Sequence, residues 1–510
     1  DVVVYGGTSA GVIAGVQAAR MGKKTILIEP GRHIGGLTSG GLGMTDSGEK
    51  KVIGGLSLEF YKRVKQWYDD SSVWIWQDKS DYPHYVKNDE ALFRFEPKVA
   101  EKILRNMADE SGLSIVFGER LNRSADGIRM TDTRIDSVVM ESGKIFDGKF
   151  FIDATYEGDL MALAGVGFHV GRESNDLYGE TLNGVQTGNA VQHQFLYDID
   201  PYVVPGNPSS GLISGVRDIG PGIEYSADSK IQAYNYRMCL TDNPENRIPF
   251  PKPEGYRRED YELLARYIEV MPEWRDVFGN HQAMPNDKTD TNNHGGFGTD
   301  FIGMNWEYPE GDYVTREHII QEHLKYQQGF MWFLCNEQEP RIPDALREEV
   351  RRWGLAADEF VDSGNWPHQL YIREARRMVS DYVHTELDCK SVRETPESVG
   401  TGSYNMDSHN TQRYVDSEGH VRNEGDVQVS PGGPYKISYK SIRPKAEECT
   451  NLFVPVCLSS SHIAYGSVRM EPVFMILGQS AATAACIAID EEISAQEVDY
   501  KKLRRQLIAD

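Results

Sequence analysis

The residues with the clearest chemical spacing are two glycines near the start of the chain and one acid that follows them. Gly6 and Gly11 enclose a short run of small residues, and Glu29 comes about 20 residues later. Glycines so placed allow a sharp bend and a close approach of backbones, which leaves free N–H groups pointing at a pyrophosphate. A carboxylate at the later position can accept both hydroxyl hydrogens of an adenosine ribose and disfavours a 2′-phosphate. We therefore expect these turn residues to bind a cofactor: Gly6, Thr8, Ser9, Ala10 and Gly11.

The residues around this turn predict a strand, a helix and a second strand. Residues 2–5 favour a buried strand, whereas the apolar residues between 12 and 19 recur at helical spacing. Residues 24–29 predict the second strand. An ordinary turn would explain the glycines, but not the buried strand, the small residues inside the helix and the terminal acid together. The segment therefore predicts a βαβ unit that binds a dinucleotide, although Thr8 replaces the middle glycine of the usual motif.

The loop at 30–43 contains more glycine than a core helix or an ordinary strand tolerates. Arg32 offers a guanidinium fork that suits a phosphate. The glycine pairs at 35–36 and 40–41 let bare backbone lie against a flat ring. We expect this loop to pass close to the bound cofactor.

Composition restricts the class of partner. The chain has 510 residues and a net charge of −23, which argues against nucleic acid or an anionic membrane, because both need a basic face. No apolar run approaches the roughly 20 residues that cross a bilayer, so we predict no membrane span and a small-molecule substrate. The six cysteines show no C-x-x-C pair and no zinc spacing, so we predict no metal. Their disulfide state, the compartment and the oligomeric state stay open.

The first residue lies inside the first predicted strand, and the chain has no initiator methionine. We expect that a preceding segment was removed, processed or left out, and a signal peptide is one candidate for it. A cytoplasmic and a periplasmic location both remain open.

Further along the chain, apolar spacing predicts helices at 53–68, 96–111, 157–164 and 467–489 and strands at 114–117, 149–155 and 451–458. Between about 171 and 431 the alternation of strand and helix is lost. Loops rich in Asn, Gly, Pro and aromatic residues alternate there with helices. A second structural unit is therefore predicted in the middle of the chain.

Several of these segments carry a family resemblance. The spacing from Glu29 through Arg32 to Gly35-Gly36 resembles FAD-dependent oxidoreductases of the glutathione-reductase-like superfamily. Residues 153–165 resemble that family's DAT-x-EGDL-x-ALAG segment. The runs NWPHQLYIREARRMVSDYV and HIAYGSVRMEPVFMILGQSAATAA look like the FAD-dependent oxidoreductases sometimes labelled xanthan-lyase-like. No residue indicates β-elimination of a polysaccharide, whereas every recognisable motif serves a flavin nucleotide.

The resemblance implies FAD and an α/β fold. It implies a Rossmann-like FAD-binding domain built from discontinuous segments at 1–50, 90–170 and 440–510. An α+β substrate or cap domain would be inserted at 51–89 and 171–439.

The resemblance also assigns cofactor contacts. The 29–38 segment would follow the pyrophosphate towards the isoalloxazine, the backbone near Val116 would touch adenine, and the turn at 466–472 would lie beneath the flavin pyrimidine. N–H groups and the helix dipole at that turn would stabilise negative charge on N1–C2=O of reduced flavin. The implied contacts beyond the first turn are Glu29, Pro30, Arg32, Gly35, Gly36, Leu37, Thr38, Val116, Ala154, Thr155, Ser467, Arg469 and Met470.

Catalysis needs a base near the flavin, and histidine has a suitable pKa with little tuning. His462 is the leading candidate, because it lies in the loop just before the expected flavin-contacting helix. A histidine that only hydrogen-bonds this loop is the alternative. Competing candidates from the cap are His409, His368 and His294. Arg373 is expected to share a helical face with Arg377, and it serves either a ligand or a solvated ion-pair surface.

We therefore predict an FAD-dependent oxidoreductase that transfers a hydride from a small organic substrate to flavin. The aromatic, amide-rich cap favours a sugar or polyol hydroxyl. The acceptor that reoxidises the flavin and the mode of flavin attachment are left open. Two alternatives remain: a redox-neutral lyase or isomerase with structural FAD, and a carbohydrate-binding protein with a vestigial nucleotide fold.

Overall fold

The computed structural model describes residues 1–271 and 276–510. Its strands are β1 Val2–Tyr5, β2 Thr25–Glu29, β3 Ser114–Phe117, β4 Ile128–Thr131, β5 Arg134–Val139, β6 Ile145–Asp147, β7 Phe150–Asp153, β8 Phe168–His169, β9 Met238–Thr241, β10 Arg247–Ile248, β11 His281–Met284, β12 Lys288–Thr291, β13 Gly354–Ala356, β14 Arg377–Met378, β15 Ser398–Gly402, β16 Met406–Asp407, β17 Gln412–Val415, β18 Val421–Glu424, β19 Gln428–Val429, β20 Tyr435–Ser438 and β21 Leu452–Phe453. Its α-helices are α1 Ser9–Arg20, α2 Gly55–Asp69, α3 Pro97–Ser111, α4 Asp159–Leu163, α5 Asn175–Tyr178, α6 Glu262–Val270, α7 Tyr313–Asn336, α8 Asp344–Arg352, α9 Glu386–Cys389, α10 His462–Val468, α11 Glu471–Glu491 and α12 Tyr500–Ala509.

A five-stranded parallel sheet carries the nucleotide turn, and its strand order is β21-β7-β1-β2-β3. Strand β1 is central and pairs with β2 and β7, so that Val4 lies opposite Leu27 on one side and Ile152 on the other. All four residues of β1 are buried. A run without polar alternation is expected for a parallel strand that is covered on both faces. The predicted α/β, Rossmann-like fold is confirmed.

The two faces of β1 pack against different layers. Val2 and Val4 belong to the core formed with α1, α3 and α11. Val3 and Tyr5 belong to a second core, formed with the three-stranded antiparallel sheet β4-β5-β6. Successive side chains of β1 therefore point to opposite faces of the sheet, as in any strand. Val2 and Val4 mark the face that the helices cover.

Helices α1 and α11 pack closely because small residues face each other. A Cβ added to Gly478 of α11 would lie 2.3 Å from the carbonyl oxygen of Ala10, so only glycine fits there. Among the described residues, α11 is the one helix long and apolar enough to cross a membrane, and 94% of its most apolar window is buried inside the protein. It is the central helix of the core.

The middle of the chain contains a second, antiparallel five-stranded sheet in the order β10-β13-β9-β12-β11. It shares a hydrophobic core with α6, α7 and α8. Helix α2 packs instead on α1, α3 and α11, although its residues were assigned to the cap. The domain boundaries stay a prediction, and α2 is attached to the nucleotide-binding layer.

Two predicted elements are wrong in detail. The single helix expected at 467–489 is two helices, because α10 ends at Val468 and α11 begins at Glu471, with Pro472 in its first turn. Proline suits that position, since the first helical N–H groups have no partner within the helix. The strand expected at 451–458 is only Leu452–Phe453.

The Gly478–Ala10 approach generates the first prediction. Gly478→Ala should lower the free energy of unfolding by about 1–3 kcal/mol, because the added methyl group forces α1 and α11 apart. Thermal unfolding of the purified protein measures this. Gly220→Ala is the matched control, since a Cβ at Gly220 meets no heavy atom within 4 Å. Equal melting temperatures for the two variants would show that α1 and α11 separate without cost.

Candidate cofactor and substrate site

The nucleotide turn is held by its glycines and by one threonine. Gly6 has a φ of +100°, and a Cβ at Gly11 would lie 1.9 Å from the Gly6 carbonyl oxygen. The hydroxyl of Thr8 accepts the Gly11 N–H at 3.3 Å and donates to the Ala154 carbonyl oxygen at 2.7 Å. Thr8 therefore caps α1 and ties the turn to the end of β7. This double contact is a physical reason for a threonine in place of the middle glycine.

A cavity of about 310 Å³ opens beside this turn. Its walls include Gly7, Thr8, Glu29 and Arg32. The Glu29 carboxylate accepts the Gly7 N–H at 2.7 Å and the Gly31 N–H at 2.5 Å. Burial raises the pKa of Glu29 to about 7. A carboxylate lining a cavity beside the glycine turn has the chemistry expected of a ribose acceptor.

His368 belongs to this nucleotide cavity. It lines the cavity together with Glu29 and stacks on His33 with ring centroids 3.9 Å apart. His33 is in turn held by Glu101, with Nδ1 and a carboxylate oxygen 3.0 Å apart. Its position beside the nucleotide residues favours a cofactor-side role for His368 over that of a base.

Glu471, the first residue of α11, joins three separate segments. Its carboxylate accepts hydrogen bonds from the hydroxyls of Ser9 at 2.5 Å, Thr38 at 2.7 Å and Tyr156 at 2.8 Å. Tyr156 also accepts the Leu37 N–H at 2.8 Å. Burial raises the pKa of Glu471. The start of α1, the glycine-rich loop, the end of β7 and the start of α11 therefore meet at one carboxyl group.

Sequence reasoning included Glu471 in the flavin-contacting turn but missed its role, and it missed Tyr156. The available signal for Glu471 was an acid at the first position of an otherwise apolar helix. Its hydroxyl donors come from residues up to 462 positions away along the chain, and no local spacing reveals them.

Between α10 and α11, Arg469 contacts two residues from the middle of the chain. Its guanidinium donates to the Tyr371 hydroxyl at 2.5 Å and to the Asp407 carbonyl oxygen at 2.9 Å. Ser467 bonds to the Tyr404 carbonyl oxygen at 2.6 Å. The helix break therefore places Arg469 against Asp407, the last residue of β16.

A buried imidazole–carboxylate pair lies next to Asp407. His409 Nδ1 is 2.7 Å from Asp300 Oδ2, and His409 Nε2 is 3.8 Å from Asp407 Oδ1. Arg373 reaches the other oxygen of Asp300 at 2.9 Å. Although burial opposes ionisation, the charge of Arg373 and the hydrogen bond with His409 hold the pKa of Asp300 well below its usual range. The pair presents Nε2 of His409 beside a second carboxyl group.

Residues that contact this pair or its neighbours carry buried polar atoms without partners. Buried atoms that form no hydrogen bond to any described residue include Arg373 Nε, Arg469 Nε, Asp407 Oδ1 and Asn305 Oδ1. Burial raises the pKa of Asp407. Buried polar groups are nearly always hydrogen-bonded, so a cluster of unsatisfied ones indicates a site that a polar ligand or water fills.

His462 forms a second imidazole–carboxylate pair. It is the first residue of α10, and its Nδ1 lies 2.8 Å from Glu374 Oε2. Gln232 connects the two pairs, because its side-chain amide donates a hydrogen bond to Glu374 at 3.2 Å and accepts one from the backbone N–H of His409 at 3.2 Å. Sequence spacing did not reveal this bridge.

The remaining catalytic candidates lie in different surroundings. The side chain of His294 is 40% exposed and its Nε2 is 4.0 Å from Asp276. The side chain of Arg373 is fully buried, so the solvated-surface interpretation is wrong. The prediction that Arg373 shares a helical face with Arg377 is also wrong, because residues 372–376 form neither helix nor strand and Arg377 begins β14.

One group of side chains could offer ligand atoms to a metal ion: His193, His409 and Asp426 have such atoms within 4.8 Å of one another. Asp426 already bonds His193 Nδ1 at 2.7 Å. The absence of a metal stays a prediction.

Comparison with known proteins identifies the family. The sequence profile described as "FAD dependent oxidoreductase" matches residues 1–507. The chain belongs to the FAD-dependent oxidoreductase family. No curated protein matches the chain.

Parts of this FAD-dependent oxidoreductase are similar to solved structures. The crystal structure of Thermovibrio ammonificans THI4 is 16% identical over 34% of this chain and 66% of its own, with a TM-score of 0.24. L-proline dehydrogenase from P. horikoshii is 18% identical over 34% of this chain and 58% of its own, with a TM-score of 0.24. L-amino acid deaminase from Proteus vulgaris is 15% identical over 34% of this chain and 52% of its own, with a TM-score of 0.23. The aligned part thus spans between about half and two thirds of these three chains.

FAD is the cofactor of this family, and the residues of this chain fit it. At Gly6 and at Gly11 the surrounding atoms leave no room for a side chain. Glu29 lines a cavity at the end of β2. We propose that the turn holds the pyrophosphate and that Glu29 holds the adenosine ribose. The predicted contacts of Val116, Ala154 and Thr155 and of the loop at 30–38 stay proposals, as do those of Ser467, Arg469 and Met470.

This assignment predicts loss of FAD from two variants. Gly11→Val drives a side chain into the Gly6 carbonyl oxygen and distorts the turn that would hold the pyrophosphate, and Glu29→Ala removes the ribose acceptor, so each should bind FAD about tenfold or more weakly. The ratio of flavin to protein after purification measures retention. Gly220→Val serves as the control for a valine at an unhindered glycine. Full flavin occupancy in both test variants would contradict the assignment.

The raised pKa of Glu29 predicts a pH dependence. An ionised carboxylate accepts both ribose hydrogens, but below pH 7 most apoprotein molecules hold a neutral carboxyl, so binding must release a proton. FAD affinity of the wild-type apoprotein should therefore rise about tenfold between about pH 6 and about pH 8. Titration of apoprotein with FAD measures it. Glu29→Gln stays neutral and should show a flat profile, and a flat or falling wild-type profile would refute the role of the carboxylate.

Proposed function

We propose that the protein oxidises a hydroxyl-bearing carbon of a small organic substrate, with a sugar or polyol as the substrate class. The observation that carries this proposal is the Asp300–His409 pair, together with buried polar atoms without partners on neighbouring residues. Bound FAD supplies the hydride acceptor. The protein must then supply a base for the hydroxyl proton and groups that orient the carbon.

The unsatisfied atoms match a polyol better than an apolar substrate. Arg373 Nε and Arg469 Nε are donors, whereas Asp407 Oδ1 and Asn305 Oδ1 are acceptors. Each hydroxyl of a sugar both donates and accepts a hydrogen bond, so it needs both kinds of partner. Tyr371 adds an aromatic ring close to two guanidinium groups, with Arg373 at 4.6 Å and Arg469 at 5.5 Å from its centroid. These groups would orient the substrate.

His409 is our proposed base. Its Nε2 would take the hydroxyl proton while hydride leaves the same carbon, and Asp300 would stabilise the imidazolium through Nδ1–H. Arg373 keeps Asp300 ionised and in place. No reorganisation of the pair is required, because Nδ1 already faces the carboxylate.

We favour His409 over His462 as the base because of the position of His462 in α10. It begins α10, whereas Arg469 follows the last residue of α10, and a helix of seven residues is about 10 Å long. His409 lies instead beside Asp407, whose carbonyl oxygen contacts Arg469. We assign His462 and Glu374 a positioning role, transmitted to the His409 backbone through Gln232.

A substrate screen tests the proposed reaction. Sugars and polyols are mixed anaerobically with the FAD-bound protein, and the visible flavin absorbance is followed by stopped flow. Bleaching by at least one polyhydroxylated compound is expected. Turnover of a compound with no flavin reduction at any time would contradict oxidation and favour a redox-neutral lyase or isomerase.

The assignment of the base predicts a contrast between two variants. His409→Gln should retain FAD and be reduced at least about 100-fold more slowly, because the proton acceptor is gone. His462→Gln should lower the rate of flavin reduction by less than about tenfold, since His462 acts through Gln232. Anaerobic flavin reduction by the same substrate measures both, and His294→Gln is the control. A wild-type rate in His409→Gln with an impaired His462→Gln would transfer the role to His462.

A further inference from the structure

A second cavity of about 310 Å³ is lined by residues of α7, of β17 and of nearby loops, and it shares no lining residue with the nucleotide cavity. Its size is at the lower end of the roughly 300–1,000 Å³ typical of ligand sites. We call it the cap cavity. The lining residues that matter below are Tyr256, Tyr261, Phe297, Phe301, Tyr326 and Arg413.

Arg413 is the unusual group of the cap cavity. It is 4% exposed. Its Nε donates to Asn423 Oδ1 at 3.0 Å and its Nη2 to the Gly296 carbonyl oxygen at 3.2 Å. Among the described residues, its Nη1 has no hydrogen-bond partner and no carboxylate lies within ion-pairing distance of the guanidinium. Nη1 lies 3.4 Å from the Cβ position of Gly215, which also lines the cavity.

Other buried arginines of this protein are paired with acids. Arg172 bonds both Asp228 and Glu424, and Arg237 bonds both Asp46 and Asp290. Burying a guanidinium costs free energy that a carboxylate normally offsets. Burial accordingly lowers the pKa of Arg413 to about 10, and the group is still charged at neutral pH. The phenyl rings of Phe195 and Phe297, 5.4 and 4.9 Å away, offset only part of this cost.

The charges at the mouth of the cap cavity largely pair with one another. Arg257 bonds Asp260 at 2.5 Å, and Lys325 bonds Glu322 at 3.1 Å. Glu254 adds an exposed carboxylate to the lining, and among the charged lining residues Arg413 is the buried one, so its guanidinium is the charge that an anion meets inside the cavity. Bidentate or charge-assisted bonding to a carboxylate is the interaction that a guanidinium makes best.

The aromatic residues of the cap cavity form a ladder of nearly parallel rings. Phe301 stacks on Tyr326 at 4.1 Å with an angle of 7° between planes. Tyr261 is 6.2 Å from Tyr326 at 19°, and Tyr256 is 5.7 Å from Tyr261 at 14°. Such a wall offers flat apolar surface, which suits a ring in the ligand.

We propose that the cap cavity binds a carboxylate carried on a six-membered ring, with the carboxylate on Nη1 of Arg413 and the ring against the tyrosine wall. This site is separate from the proposed oxidation site. It is nevertheless close to it along the chain, because Phe301 follows Asp300 and Arg413 comes four residues after His409. Binding at the cap cavity does not depend on the proposed oxidation of a polyol.

Calorimetric titration of the FAD-bound protein tests the proposal. The probes are 4-hydroxybenzoate, with a planar ring, and cyclohexanecarboxylate, with a saturated ring. Their neutral carboxamides are the matched controls. We expect at least one carboxylate to bind about tenfold or more tightly than its carboxamide, because only the carboxylate pairs with Arg413. Equal affinity for carboxylate and carboxamide, or no binding by either carboxylate, would overturn the proposal.

Two variants assign the binding to the cavity. Arg413→Gln should abolish the preference for the carboxylate, whereas Arg422→Gln on the neighbouring strand should retain it. Tyr256→Ala leaves Arg413 untouched and should weaken carboxylate binding about fivefold by removing part of the ring wall. If Arg413→Gln does not fold, the affinity of Tyr256→Ala alone tests whether the carboxylate binds in the cap cavity. Unchanged affinity in a folded Arg413→Gln or in Tyr256→Ala would place the ligand elsewhere and overturn the proposal.

Discussion

The carboxyl group of Glu471 holds together the parts of the chain that surround the proposed flavin site. Three hydroxyls, from Ser9, Thr38 and Tyr156, donate to it within the core. Burial disfavours the ionised form and raises its pKa, whereas the three donors favour the ionised form. A buried carboxyl is costly unless each of its oxygens is bonded, and here both are. The segments that supply the donors are therefore fixed relative to α11.

This constraint explains how the layer that carries the nucleotide turn can be assembled from distant segments of the chain. Ser9 begins α1 and Glu471 begins α11, and the two helices run together with backbone contact at Gly478. The long middle segment is free to form a separate antiparallel sheet, because the closing contacts come from the two ends. The segments after β12, β13 and β16 supply Asp300, Arg373 and His409, and Asp407 beside His409 contacts Arg469 at the break between α10 and α11.

The sequence predicted best those features that depend on local pattern. The strand at 2–5, the helix that follows the glycine turn and the helix from Pro97 to Ser111 are set by apolar period, capping and glycine position, which neighbours along the chain determine. Arg373 was harder, because its surroundings come from Ala233, Asn235 and Asp300, which are far away in sequence. The pairing of His409 with Asp300 likewise joins residues that are far apart in the sequence. No spacing rule links residues 109 positions apart.

The central claim is that a carbon–hydrogen bond of a polyhydroxylated substrate delivers hydride to FAD while His409 takes the hydroxyl proton. The most direct measurement is the rate of anaerobic flavin reduction with a substrate that carries deuterium at the oxidised carbon. The account predicts reduction several-fold slower than with the protiated substrate. An identical rate for the two substrates, under conditions in which substrate binding is shown to be fast, would contradict it.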